Sequence, residues 1–133
     1  MSGHSYQRKG IKKSIDDIIE LLSLHSVLNR ANLGFKTVLG ENGVNLSGGE
    51  KQRIGIARAL TREADVLILD EATSALDTNL ETKIMQQLIK KNRNKTIIMI
   101  AHRVSTLKYC NRILEMDAGK MTRELTYEEL IAT

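Results

Sequence analysis

The sequence predicts an α/β fold in which parallel sheet strands are flanked by helices, and three observations carry that expectation. Val66-Leu67-Ile68-Leu69 is an unbroken aliphatic run that stops at Asp70-Glu71. Thr96 to Ala101 is a second apolar run, and it stops at His102. Around and between them, apolar residues recur at helical spacing. Short continuous runs alternating with helical segments are the pattern of strands buried on both faces of a helix-covered parallel sheet.

Each element has its own justification. Residues 1–13 show no apolar periodicity and read as a disordered or artificially added leader, ahead of a domain spanning 14–133. Ile15, Ile18, Ile19 and Leu22 share one helical face, and Ser14 with Asp17 makes a capping box, so a helix is expected over roughly 14–24. Residues 29–45 read as irregular, punctuated by Gly34, Gly40 and Gly43. Ser47 and Glu50 form a second capping box, which starts a helix running from about Gly48 to Thr61. After the first strand, Leu80, Ile84 and Leu88 space a third helix. The cations that follow it (Lys90, Lys91, Arg93 and Lys95) suit a helix C-terminus. A short helix near 105–110, a strand near 112–117 and an Ala118-Gly119 turn come next. Thr126 and Glu129 cap a last helix.

Composition bounds the function classes. With 41% hydrophobic and 27% charged residues, a 133-residue chain can bury a core and is not compositionally disordered. Its lack of Pro excludes Pro-rich linkers. No apolar run reaches the length of a membrane helix, so direct membrane insertion of this chain is not expected. One cysteine, Cys110, cannot form an internal disulfide, which fits a soluble domain in a reducing compartment. The net charge of +4 comes from the start of the chain. Arg8, Lys9, Lys12 and Lys13 precede the first acid, Asp16, and from residue 14 onward basic and acidic side chains are equal at 16 each. A neutral body without aromatic-plus-basic surface argues against nucleic acid as a partner.

The chemistry concentrates at two strand ends and one helix start. In a parallel sheet, ligands bind beyond the carboxyl ends of the strands. Asp70 and Glu71 lie at one such end and His102 at the other. An acid directly after four aliphatics is costly unless a metal or a hydrogen-bonding partner meets it. A hydrated Mg²⁺ held jointly with substrate phosphates would suit Asp70. Glu71 could then orient or deprotonate a water, and His102 could donate to a transferring phosphoryl group. Alternatively Asp70 is an N-cap and His102 an ordinary loop histidine. In Leu46-Ser47-Gly48-Gly49-Glu50, two glycines leave backbone N–H groups uncovered at a helix start. With the helix dipole and the Ser47 hydroxyl they suit a phosphate, and equally they suit a capped helix with a flexible entry.

The ordered combination LSGGEKQRIGIARAL (46–60), VLILDEATSALD (66–77) and IIMIAHRVSTL (97–107) resembles the nucleotide-binding domain of ATP-binding cassette (ABC) transporters. The likeness covers about 14–131. It implies a partial P-loop NTPase fold, with part of the helical subdomain at about 14–61 and catalytic-core elements at about 62–133. By resemblance, Ser47, Gly48, Gly49 and Glu50 form the signature motif, which binds the γ-phosphate of an ATP held by the opposing domain of a dimer. Asp70 points toward Mg²⁺, Glu71 is the catalytic base, and Ser74 to Asp77 form the D-loop, so Asp77 counts among the nucleotide-site residues. His102 is the switch histidine. Residues 37–43 resemble the loop that meets the coupling helices of the transmembrane domain in exporters. The implied setting is the cytoplasmic side of a cell membrane, with ATP and Mg²⁺ as cofactors.

Three departures accompany the match. The signature motif usually ends in Gln where this chain has Glu50, whose carboxylate would fold back onto its own helix start as a capping-box acid. The segment Thr122-Arg123-Glu124-Leu125 strays from a usually glycine-containing turn. No G-x-x-x-x-G-K-[S/T] phosphate loop occurs, and Tyr6 and Gln7 offer no convincing adenine-stacking residue or Q-loop. The expectation is therefore the C-terminal part of an exporter ATPase domain, inactive in isolation. The alternatives are a non-catalytic interaction module and a fragment of a soluble ABC ATPase acting on nucleic acid or ribosomes.

Overall fold

A computed structural model describes residues 9–40, 44–62 and 64–132. Helix α1 (Lys9–Leu21) leads into α2 (His25–Arg30), a 3-10 turn at Gly34–Lys36 and α3 (Gly48–Leu60). Then follow β1 (Val66–Asp70), α4 (Thr78–Lys91), β2 (Thr96–Ile100) and the short α5 (Val104–Leu107). The hairpin β3 (Ile113–Asp117) and β4 (Lys120–Leu125) and a final helix α6 (Tyr127–Ile131) complete the chain.

Most local expectations hold where a cap or a period carried them. The boxes Ser47/Glu50 and Thr126/Glu129 both form, with side-chain and backbone bonds in each direction. The first helix differs. It starts at Lys9, so Ser14 lies inside it and does not cap it, and residues 9–13 of the expected leader are helical. The rest of that leader, 1–8, lies outside the described residues. Segment 29–45 is less irregular than expected, since α2 covers its start and Gly34–Lys36 forms a turn of 3-10 helix.

One apolar cluster joins the elements. Ile19, Leu21, Leu22, Leu24 and Val27 from the first two helices bury with Ile56 of α3, Leu67 and Leu69 of β1, Leu76, and Ile84, Met85 and Leu88 of α4. Leu22, Ile84 and Leu88 are wholly inaccessible. Arg53 of α3 clamps this packing by donating to the carbonyls of Leu22 at 3.1 Å and Ser23 at 2.7 Å. Those carbonyls follow the last turn of α1 and would otherwise lack partners.

Strands β1 and β2 pair in parallel, Val66 against Thr96 through Asp70 against Ile100. Only one face of this pair is buried, which corrects the expectation of burial on both. Leu67 and Leu69 point into the core, whereas Ile68 is 63% and Ile100 52% exposed, and Val66 and Ile98 are exposed with them. The physical reason is a one-sided cover: α3 and α4 pack with the inner face, and no described element lies over the outer one. Strands β3 and β4 form a separate antiparallel hairpin. Its turn residues Ala118 and Gly119 both have positive φ, 46° and 76°, as a type I′ hairpin turn requires. The divergent segment 122–125 is thus not a loop but part of β4, pinned by Arg112 to Glu124 and Arg123 to Glu115.

Candidate functional site

Parallel pairing brings the two strand ends together. Asp70 is opposite Ile100, so the residues that leave the sheet next, Glu71 from β1 and His102 just beyond β2, emerge side by side. The Glu71 amide extends the ladder by donating to the Ile100 carbonyl at 3.0 Å. At Glu71 the backbone turns sharply, with a left-handed φ of 47° that a non-glycine residue adopts only under constraint. The turn throws the carboxylate back toward the second strand, and Glu71 Oε1 meets His102 Nε2 at 2.6 Å. Both side chains are largely exposed, so the pair is open to a ligand. It borders a cavity of about 150 Å³ lined by Leu69, Ser74, Met85, Met99 and Arg103 among others.

Asp70 is exposed at the carboxyl end of β1 and begins no helix, so it is not an N-cap. It forms no ion pair among the described residues. Those residues also contain no group of three or more His, Cys, Asp or Glu that would cage a metal by itself. A single unpaired carboxylate nevertheless fits Mg²⁺, which keeps several waters and takes its remaining oxygens from one or two carboxylates and from phosphates.

At the start of α3, Ser47 is the N-cap. Its Oγ accepts the Glu50 amide at 3.2 Å, and Glu50 Oε2 accepts the Ser47 amide at 2.9 Å. The other carboxylate oxygen of Glu50 takes the Arg30 guanidinium at 2.6 Å. Glu50 is buried, and the Ser47 backbone bond together with Arg30 holds its carboxyl below the usual range despite that burial. Its charge is therefore met within the fold by the Ser47 N–H and Arg30. Ser47 and Gly48 remain exposed, so the predicted anion-binding surface is open.

Asp77 serves locally as the N-cap of α4, with Oδ1 accepting the Leu80 amide at 2.9 Å. It is exposed at one end of loop 71–77 and makes no bond to Glu71 or His102. Between them, loop 71–77 packs on the glycines of α3. A Cβ on Gly49 would come within 3.2 Å of the Ala75 carbonyl and of Leu76 Cδ2, a tight contact that glycine avoids.

Three residues that the sequence reading passed over build the frame of the site. Gln52 donates to the Glu71 carbonyl and to Ser74 Oγ, and accepts the Ala75 amide. Glu81, buried on α4, accepts from the hydroxyls of Thr73 and Thr106 and from Arg103. Burial raises its carboxyl, but those three donors outweigh burial and hold it below the usual range. Arg103, next to His102, also donates to the carbonyls of Leu76 and Ser74. The only sequence signal for Glu81 was an acid among apolar helix positions, and Gln52 had none. Residues 37–40 of the predicted coupling segment expose Val38 and Leu39, while 41–43 lie outside the described residues.

Comparison with known proteins gives the chain's relatives. The ABC transporter family model matches residues 5–74. The ATP-dependent lipid A-core flippase of Vibrio vulnificus is 45% identical over 130 residues, which cover 98% of this chain and 22% of the relative. The alpha-hemolysin translocation ATP-binding protein HlyB of Escherichia coli O157:H7 is 46% identical over 122 residues, covering 90% of this chain and 17% of the relative. A solved bacterial Atm1-family ABC exporter with ATP bound superposes with a TM-score of 0.78 at 36% identity, over 96% of this chain and 22% of that one. The chain thus spans about a fifth of the length of the relatives it matches. Among the described residues, no helix is long and apolar enough to cross a membrane.

Proposed function

This chain belongs to the ABC transporter family, and on that premise we propose that it works as part of an ATP-hydrolysing exporter subunit. The observation that carries the reading is the Glu71–His102 contact of 2.6 Å at the carboxyl ends of two adjacent parallel strands. A carboxylate and an imidazole so placed divide the labour of phosphoryl transfer. Glu71 takes the proton of the attacking water as its oxygen bonds to the γ-phosphorus and the bond to the ADP oxygen breaks. His102, when its Nε2 carries the proton, donates to the Glu71 carboxylate and orients it, and once that bond opens the same N–H donates to a γ-phosphate oxygen. Asp70 would hold Mg²⁺, which supplies neutralisation of phosphate charge when bound.

Ser47, Gly48 and Gly49 serve a second ATP, held mainly by the opposing nucleotide-binding domain of a dimer. The Ser47 hydroxyl accepts the Glu50 amide and keeps its own proton free to donate. Glu50 supports this site from behind, through the cap and Arg30. Ser74 to Asp77 face the partner domain, and residues 37–43 face the coupling helices of the transmembrane domain, for which the exposed Val38 and Leu39 are suited. The setting is the cytoplasmic face of a membrane.

The sequence holds no phosphate-cradling G-x-x-x-x-G-K-[S/T] loop, and positioning with charge neutralisation is most of the catalysis of this reaction. The purified chain is expected to turn over no ATP. Placed in the Vibrio vulnificus flippase in exchange for the matching segment, it is expected to support Mg²⁺-dependent hydrolysis that Glu71→Gln abolishes. A folded, ATP-binding chimera without turnover overturns the proposal. So does Mg²⁺-dependent hydrolysis in the chimera that survives Glu71→Gln.

A further inference from the structure

We propose that Gln52 is a positioning residue that holds the Glu71 turn in its left-handed conformation and couples it to the glycine-rich start of α3. The inference rests on the reading of Glu71 as the base. Gln52 lies one helical turn beyond Ser47 and Gly48, and its side chain reaches the loop after β1. Nε2 donates to Ser74 Oγ at 2.7 Å and to the Glu71 carbonyl at 3.1 Å, and Oε1 accepts the Ala75 amide at 2.8 Å. One primary amide thereby uses both its donors and its acceptor on a single five-residue turn.

That turn needs holding. Glu71 sits at φ 47°, a conformation that strains a β-carbon-bearing residue and persists where surrounding contacts over-determine it. The Ser74 amide also bonds the Glu71 carbonyl, at 3.1 Å, but this bond lies inside the turn and moves with it. Gln52 is the bond that ties the Glu71 carbonyl to a helix. Relaxation of Glu71 to negative φ would swing its carboxylate away from His102. Because Gln52 and the glycines share one rigid helix, a displacement of the phosphate-facing end of α3 is transmitted to the base through this amide.

Two substitutions separate the contacts. Gln52→Glu keeps an acceptor for the Ala75 amide and lets the Ser74 hydroxyl donate to it, but sets a carboxylate oxygen against the Glu71 carbonyl. Gln52→Met keeps the length and loses every bond. In nuclear magnetic resonance spectra of the 133-residue chain, wild type is expected to show the strong intraresidue HN–Hα Overhauser effect of positive φ at Glu71. Gln52→Glu should weaken it while Ala75 stays protected. Gln52→Met should weaken it and speed Ala75 amide exchange about tenfold. If Gln52→Met does not fold, Gln52→Glu decides the matter. An undiminished Glu71 effect in the folded variants overturns the proposal. In the chimeric flippase, Gln52→Glu is expected to lower kcat by about tenfold or more at unchanged KM for ATP. An unchanged kcat, or a loss confined to KM, overturns it as well. A chimera with no turnover before substitution counts against the functional reading alone, and the spectra still decide the role of Gln52.

Discussion

The Arg103 guanidinium reaches Glu81 at 2.6 Å, and this pair fastens the loop that carries His102 to the loop that carries Glu71. Glu81 is 4% exposed and also holds the Thr73 and Thr106 hydroxyls, while Arg103 spans to the carbonyls of Ser74 and Leu76. A buried carboxylate that loses its counter-charge is destabilising, whereas a neutral isostere keeps its hydroxyl partners. Arg103→Met is therefore expected to cost about 2–4 kcal/mol and Glu81→Gln less, about 1–2 kcal/mol. The double variant in urea denaturation should show a coupling of about 1 kcal/mol or more. Strictly additive losses would mean that the pair does not fasten the two loops.

Acid sensitivity follows from the same residue and from Glu50. Both carboxyls are held below their ordinary value of 4.5 in the folded chain, Glu50 by the Ser47 backbone bond and Arg30, Glu81 by three donors that outweigh burial. A carboxyl depressed on folding adds stability that is full above its unfolded value and is lost as pH falls through the folded one. Unfolding free energy should be flat above about pH 5 and decline below about 4.5. Glu81→Gln should lower the plateau and make the acid slope shallower. A slope identical to wild type would assign the acid sensitivity elsewhere.

Two glycines of α3 should respond oppositely to the same change. Gly55 has open space where a methyl group would stand, so Gly55→Ala gains helix propensity and is expected to stabilise by about 0.5–1 kcal/mol. Gly49→Ala meets the Ala75 backbone carbonyl at 3.2 Å, and a carbonyl cannot step aside as a flexible side chain can. It should destabilise by about 1 kcal/mol, as overpacked sites do. Urea midpoints of the two variants check the contrast, which fails if both rise.

Asp77 has a structural duty that is separable from any duty toward nucleotide. Asn caps helices about as well as Asp, and Ala does not. Asp77→Ala is expected to lose about 1 kcal/mol while Asp77→Asn stays within a few tenths. If both variants of the chimeric flippase lose turnover equally, the carboxylate acts beyond the cap. Normal turnover with Asn would confine Asp77 to capping α4.

How much was legible before folding depends on the range of each interaction. Ser47 with Glu50, and Thr126 with Glu129, lie three residues apart, so their caps are written in local order. The first helix shows the limit, because a plausible box at Ser14 did not stop the helix from starting five residues earlier at Lys9. The outer face of β1 and β2 shows another. Aliphatic composition predicts burial, but only the placement of helices decides which face receives it.

Strand ends rich in acid and histidine, and a glycine pair at a helix start, identified the chemical groups because residue type and neighbouring polarity suffice for that. Their mutual geometry came from tertiary structure alone. Glu71 and His102 are 31 residues apart and meet because two strands pair in parallel register. Gln52 and Ala75 are 23 apart and meet because α3 packs its glycines on the loop after β1. No periodicity encodes such pairs, since each bond depends on how whole elements dock over the shared core. The sequence named the candidate groups, and the docking of helices and strands gave them their partners.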